Sequence, residues 1–223
     1  MSGMKYKKEK LSYYIFGISF LLILIEIIHY KPSPLLFIPL LVSAFVMFLQ
    51  SRVNRYAFVV GAINSVLYAV AYVKMSLYAT ALYALLTSCP LQIITFVNWN
   101  RYTKQSKTEL RRMSGKSRIK LFGGMLAVWV LLYMIFSGLN SQYLLLDNSN
   151  AVLGMITTIL CTLRFKEYTL LQIFTGIIGM LTYLMMLDED PSIIIWVIQT
   201  ANSIVCTLLA WVNMNEKEST QSF

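Results

Sequence analysis

Hydrophobic residues run through this chain in long blocks, without the short alternations of a water-soluble sheet domain. Eight blocks approach twenty residues: 11–28, 34–50, 56–73, 76–99, 119–138, 148–163, 168–187 and 191–212. About 20 apolar residues cross a hydrocarbon core as a helix, because the backbone must satisfy its own hydrogen bonds there. The pattern predicts an all-α polytopic membrane protein with eight transmembrane helices. The connections at 51–55, 74–75, 164–167 and 188–190 are very short, so the helices they join must be antiparallel hairpins. The first block leaves through Glu26, His29, Tyr30, Lys31 and Pro32, which is no small-residue cleavage pattern. It reads as an uncleaved helix, with an interfacial helix as the other reading.

Composition narrows the class further. The chain has 223 residues, 57% hydrophobic and 13% charged, with a mean hydropathy of +0.64. Soluble domains carry about 25% charged residues, so this chain cannot clothe a globular surface in water. The net charge of +9 would suit a nucleic-acid partner, but the basic residues sit between the apolar blocks, as the positive-inside rule describes. A cytoplasmic tract holds Arg101, Lys104, Lys107, Arg111, Arg112, Lys116, Arg118 and Lys120. With eight spans, alternation then brings Lys5, Lys7, Lys8, Lys10, Arg52, Arg55, Arg164, Lys166 and Lys217 to the same side. Only Lys31 and Lys74 of the 19 Lys and Arg residues fall outside. The expected location is therefore the cell membrane, with both termini cytoplasmic, a lipid bilayer as surroundings and no nucleic-acid partner. The tract itself lacks an apolar stripe and reads as a solvated loop. Cys89, Cys161 and Cys206 all lie inside apolar blocks, with no C-x-x-C pair and no histidine beside them. They read as small apolar fillers, and neither a metal site nor a cofactor is expected.

The block at 119–138 divides the chain into similar halves. Tyr56 and Trp99 are 43 positions apart, as are Tyr168 and Trp211. Charged Arg55 and Glu167 precede the two tyrosines, and Asn100 and Asn213 lie just past the two tryptophans. The layout is one leading helix followed by a 3 + 1 + 3 parallel-repeat bundle, an arrangement transporters use about an axis along the membrane normal. The expected units are 1–33 (basic N-terminus and leading helix), 34–100 (first three-helix repeat), 101–138 (basic loop and linker helix), 139–213 (second repeat) and 214–223 (tail).

Polar residues inside a bilayer are costly and tend to face the bundle interior. In the third block Asn64, Tyr68 and Tyr72 share a face. In the fourth, Ser88, Gln92 and Thr95 do so, extended by Trp99, with Tyr83 and Thr87 beside them. In the seventh, Gln172, Thr175, Gly179 and Thr182 align, with Tyr183 adjacent. In the eighth the set is Trp196, Gln199 and Asn202. Four such stripes around one axis would form a neutral pocket of amides, hydroxyls and flat rings. The substrate-binding candidates are Asn64, Tyr68, Tyr83, Ser88, Gln92, Gln172, Thr175, Tyr183, Trp196, Gln199 and Asn202. Pro90, as a kink, and Trp99 and Trp211, at the cytoplasmic end, are gating candidates. Each polar residue has a bland alternative, since Ser, Thr, Asn and Gln also join membrane helices to one another and small residues pack them closely. Trp129, Tyr133 and Tyr143 read as interface-belt or packing residues. Glu26 and His29 read as wetted.

The stretch 68–101, with its Leu77-Tyr78-Ala79 start and Asn98-Trp99-Asn100-Arg101 finish, resembles the third core helix of PnuC-type vitamin transporters. The 3 + 1 + 3 layout is similar to theirs and to that of SWEET sugar transporters. The resemblance covers about residues 34–213. It implies a small-molecule vitamin or nucleoside substrate, foremost nicotinamide riboside, and a homo-oligomer, a trimer in the family. The family's second-repeat W-x-x-W followed by Asn is not matched here, where Tyr168 to Gly176 reads YTLLQIFTG. Thiamine, riboflavin and deoxynucleosides therefore stay open as substrates, and a SWEET-like sugar uniporter as a rival. Flat rings stack on Trp and Tyr, and amides pair with ring amides and ribose hydroxyls. With no acidic residue at mid-membrane depth, the expected mechanism is facilitated diffusion, with net uptake driven by cytosolic phosphorylation of the substrate. A membrane enzyme is disfavoured, because no paired carboxylates, His cluster or nucleophile with a base is present.

Overall fold

A computed structural model describes residues 2–52, 54–101, 103–104, 107–108, 111–138 and 143–219. The side chains of Lys5, Lys7, Lys8, Lys10, Asn100, Arg101, Lys104, Lys107, Asn213 and Lys217 lie outside the described part, as does the loop at 139–142. Eight helical stretches are long and apolar enough to cross a membrane. They are α1 (Ser2–Tyr30), α2 (Pro34–Ser51), α3 (Tyr56–Lys74), a broken span made of α4 (Tyr78–Tyr83) and α5 (Cys89–Arg101), α6 (Gly115–Phe136), α7 (Leu144–Thr162), α8 (Tyr168–Met186) and α9 (Ile194–Ser219). Two-residue strands, β1 (Thr103–Lys104) and β2 (Lys107–Thr108), form a small antiparallel hairpin after α5.

Local sequence explains several boundaries. Pro34 opens α2, where its missing N–H is no loss. Ser114 caps α6, its hydroxyl accepting from the Ser117 N–H at 3.3 Å. Asp190 accepts from the Ser192 N–H at 2.9 Å and starts a 3-10 turn, Pro191–Ile193, that leads into α9. The fourth span is not continuous. Between α4 and α5, residues Ala84–Ser88 form a π turn, with the Cys89 N–H reaching back to the Ala84 carbonyl. Pro90 follows at once. A proline has no N–H to give and crowds the carbonyl four residues back, and a π turn is one way a helix absorbs that fault.

Six spans form a closed ring. In order around it, α2 packs on α3, α3 on α4–α5, α4–α5 on α7, α7 on α8, α8 on α9, and α9 back on α2. The first helix of each repeat therefore touches the last helix of the other repeat. The two remaining helices lie outside the ring in corresponding places. α1 packs on α9 and α2, and α6 packs on α7 and α4. Each precedes a three-helix repeat and covers the seam where that repeat's first helix meets the other repeat. The leading helix is thus the counterpart of the linker helix, and the 1 + 3 + 1 + 3 order behaves as two four-helix units. Outward side chains of α6 such as Ile119, Phe122 and Met134 are exposed, as expected of a helix whose outer face meets hydrocarbon.

The linker region departs from a free loop. α6 begins at Gly115, four residues before the apolar block, and residues 111–114 dock onto the turn before α8. The Arg111 N–H donates to the Arg164 carbonyl (2.8 Å) and the Lys166 N–H donates to the Arg111 carbonyl (3.0 Å). Glu167 accepts from the Met113 N–H (3.0 Å) and from Arg118 (2.8 Å). Partial burial pushes the Glu167 carboxyl up, but the Met113 N–H, its own backbone N–H and the Arg118 guanidinium outweigh that and hold it below the usual carboxylate range. Composition shows a basic tract; the docking depends on an acid 54 residues from Met113, which no local pattern reveals.

Candidate functional site

The ring encloses a cavity of about 270 Å³, lined from all six of its spans. At one end it is sealed by an apolar cluster that includes Leu36, Leu40, Met75, Leu77, Met186 and Ile195. Toward the basic turns its lining passes to half-buried polar side chains, Gln50, Asn54 and Gln172. No Asp, Glu, Lys, Arg or His is among its described lining residues.

Of the predicted binding residues, Asn64, Tyr68, Tyr83, Ser88, Gln92, Gln172, Thr175, Tyr183, Trp196 and Gln199 all line this cavity. Asn202 does not. It is buried one layer behind, donating to Gln199 Oε1 (3.4 Å) and accepting from the Cys206 thiol (3.5 Å). Trp99 lines the cavity near the basic end, 1% exposed, with its indole N–H donating to the Cys161 carbonyl at 3.0 Å. Its ring meets Phe58 and Tyr168 edge-on. Pro90 and Trp211 stand apart from the cavity. Pro90 is exposed and Trp211 is 38% exposed. Equal spacing within the repeats does not give equal faces, because the π turn in the fourth span takes up about one extra residue and turns everything after it. No such turn precedes Trp211.

Two polar nets hold the lining. Gln92 donates from Nε2 to the hydroxyls of Ser65 and Ser88, each at 2.8 Å, and those hydroxyls lie 2.9 Å apart. Gly61 makes room for them, since a Cβ there would collide with Gln92 Oε1. Across the ring, Gln199 donates from Nε2 to Ser43 Oγ at 2.9 Å. Tyr83 crosses to α7, its hydroxyl 2.9 Å from Thr158 Oγ1 and its ring packed over Gly154. Near the sealed end, Tyr68, Tyr72 and Tyr183 surround Trp196, with ring centroids 5.3 to 5.5 Å from the indole. Such tilted, edge-on arrangements are the favoured ones for aromatic pairs.

The nets leave some groups without partners. Asn64 Oδ1, Asn150 Oδ1, Thr157 Oγ1 and Trp196 Nε1 are buried polar atoms with no hydrogen-bond partner among the described residues, and all four residues line the cavity. Buried polar groups are nearly always paired, and leaving one bare costs about 1–3 kcal/mol. Each of these atoms is covered by its neighbours in this conformation, although its residue lines the cavity.

Sequence periodicity missed the first helix of each repeat. Ser43 and Gln50 of α2, and Asn150, Thr157 and Thr158 of α7, all reach the cavity. Isolated polar residues in α2 make no stripe. In α7 the clue was available, as Asn150, Gly154, Thr157 and Cys161 recur at helical spacing on one face.

The family described as nicotinamide mononucleotide transporter matches residues 33–213. The chain belongs to this family. Among solved structures, the crystal structure of the vitamin B3 transporter PnuC aligns with a TM-score of 0.79 over 95% of each chain, at 14% identity. At that identity the likeness speaks for the fold alone. No curated protein matches the sequence. The family match begins at residue 33, so α1 precedes the matched region, as the leading helix was expected to do.

Proposed function

We propose that this protein carries a flat, nitrogen-bearing aromatic nucleoside or vitamin across the membrane, foremost nicotinamide riboside, and that the cavity is its binding site. The observation that carries this reading is a cavity lined by amides, hydroxyls and a Tyr–Trp cluster, with no Asp, Glu, Lys, Arg or His among its described lining residues. A pyridinium ring would gain from the aromatic faces around Trp196. Ribose hydroxyls and the carboxamide would pair with Asn64, Asn150, Thr157 and the Trp196 N–H. At about 270 Å³ the cavity lies just below the usual range of small-ligand pockets, roughly 300 to 1,000 Å³, and so suits one small molecule.

The absence of lining charge bears on which form is carried. A phosphate brought into this cavity would lose its water and meet no Lys or Arg, a cost of several kcal/mol per ion. The unphosphorylated riboside therefore fits better than the mononucleotide in the family's description. No Asp, Glu, Lys, Arg or His among the described lining residues offers a relay for protons or sodium, which supports facilitated diffusion, with trapping by phosphorylation in the cytosol. The excess of Lys and Arg at the turns 51–55, 101–114 and 164–167 puts that end in the cytoplasm under the positive-inside rule.

Thermal-shift binding on the purified protein tests the substrate. A ligand that binds only the folded state stabilises it by about 2.7 kcal/mol at roughly a hundredfold excess over Kd, a shift of about 5–10 °C for a chain of this size. Nicotinamide riboside should give that shift, and nicotinamide mononucleotide a much smaller one. Equal shifts would refute the charge argument, and a shift only with thiamine, riboflavin, a deoxynucleoside or glucose would replace the substrate.

A further inference from the structure

The start of α4 is capped by a residue from another helix. Leu77, directly before it, makes no side-chain cap. The Asp147 carboxylate accepts from the Ala79 N–H at Oδ2 (3.0 Å), from the Thr80 N–H at Oδ1 (3.0 Å) and from the Thr80 hydroxyl at Oδ1 (2.6 Å). The two N–H groups are the second and third of the helix, the pair an N-cap side chain ordinarily satisfies. Asp147 belongs to the first turn of α7 and is 1% exposed. Charge-assisted bonds of this kind are roughly twice as strong as neutral ones. The sequence expectation began this span at Asn148, so the acid fell outside it.

α4 packs on α3 and α7 and is short. It has six residues. Ser76, before it, takes a left-handed φ of 57°, a conformation that side chains other than glycine adopt under strain. The π turn at Ala84–Ser88 follows it. A short helix with an irregular joint at each end can swing as a unit. Its Thr80 and Tyr83 line the cavity, and its start lies at the sealed end, where Leu77 is part of the apolar seal.

We propose that Asp147 is a positioning residue for transport: it latches α4 to α7 across the repeat boundary, and release of this latch opens the sealed end of the cavity. Asp147 does not touch the substrate. It holds the wall that does. The inference rests on the reading of the cavity as a transport path.

The test is labelling of an Ala84→Cys variant by a membrane-impermeant methanethiosulfonate, in intact cells and separately in inside-out vesicles. Ala84 lines the cavity but takes no part in the latch. Rates are read against the same chain with only Cys89, Cys161 and Cys206. From the side facing the sealed end, Ala84→Cys should label slowly, and adding Asp147→Asn should speed labelling by about tenfold or more, the shift in open population expected when one strong bond is lost. Asp147→Glu, which keeps the carboxylate, should restore most of the protection. An unchanged rate in Asp147→Asn overturns the proposal. If Asp147→Asn does not accumulate, Thr80→Val, which deletes the hydroxyl's bonds to the Asp147 carboxylate (2.6 Å) and carbonyl (3.2 Å) and keeps both backbone N–H bonds, decides it: faster labelling supports the latch and an unchanged rate overturns it. Labelling reads the latch whether or not nicotinamide riboside binds, and because both membrane faces are probed it does not depend on the assigned orientation. A failure of the substrate reading would show in the thermal-shift experiment alone.

Discussion

Gly154→Ala is a one-methyl change with a consequence that can be worked from distances. A Cβ at Gly154 would lie 2.6 Å from Tyr83 Cε1 and 2.7 Å from Cζ, where carbon atoms prefer about 3.5–4.0 Å. The ring must retreat by roughly 1 Å. It is tethered to Thr158, one turn along the same helix, so retreat from α7 carries it into the cavity and strains that bond. Overpacking of this kind costs about 1–3 kcal/mol, or roughly 2–12 °C in Tm for a chain of this size. Taken alone, Gly→Ala within a helix gains up to about 1 kcal/mol, so the two effects have opposite signs and can be separated. In detergent, Gly154→Ala should lower Tm and weaken nicotinamide riboside binding by about tenfold, a loss near 1.4 kcal/mol. In a Tyr83→Ala background the same change should raise Tm. A double-mutant cycle measures the coupling. If Gly154→Ala raises Tm in both backgrounds, the close packing of Tyr83 on α7 is wrong, and with it the shape ascribed to the cavity.

Trp196→Phe removes an unpartnered indole N–H. Relief of that group should offset the lost volume, so Tm of the empty protein should move by only a few degrees while ligand affinity falls about tenfold or more; a large loss of Tm with affinity intact would contradict the role given to this atom. Trp99→Ala should destabilise by about 3–5 kcal/mol as a large buried aromatic, whereas Trp211→Leu should stay within about 0.5 kcal/mol, and equal losses by thermal melting would refute the asymmetry. Because the Glu167 carboxyl is held low in the folded chain, its contribution is present above its unfolded value, about 4.3, and is lost as pH falls through the lower folded value. The Tm gap between the native chain and Glu167→Gln should be constant above about pH 5 and close in acid; a gap that widens in acid would reverse the sign.

Much of this architecture was legible because a bilayer leaves few choices. Apolar length and charge alternation predict eight spans, and α3 and α8 begin at Tyr56 and Tyr168 as the repeat expected. Of the eleven binding residues proposed from stripes on four helices and the tyrosines beside them, ten line the cavity. What the stripes could not carry was helix phase. Trp99 and Trp211 occupy matching positions in the repeat, yet one is buried beside the cavity and the other is exposed, because phase depends on the π turn before Pro90. Partners at long range were equally hidden. Asp147 caps a helix 67 residues away and Glu167 binds the Met113 N–H from the start of α8. Neither leaves a local signature, because the partners are far apart in sequence and the backbone N–H donors among them are ones almost any residue supplies.

If the cavity passes an unphosphorylated nucleoside down its gradient, as proposed, transport needs nothing but the protein and the substrate. Uptake of radiolabelled nicotinamide riboside into proteoliposomes holding the purified protein, with no ion gradient imposed, tests it most directly. The account predicts saturable entry to equilibrium and fast exchange against unlabelled riboside inside, with nicotinamide mononucleotide competing poorly. Entry that requires a proton or sodium gradient, or mononucleotide that competes as well as the riboside, would contradict it.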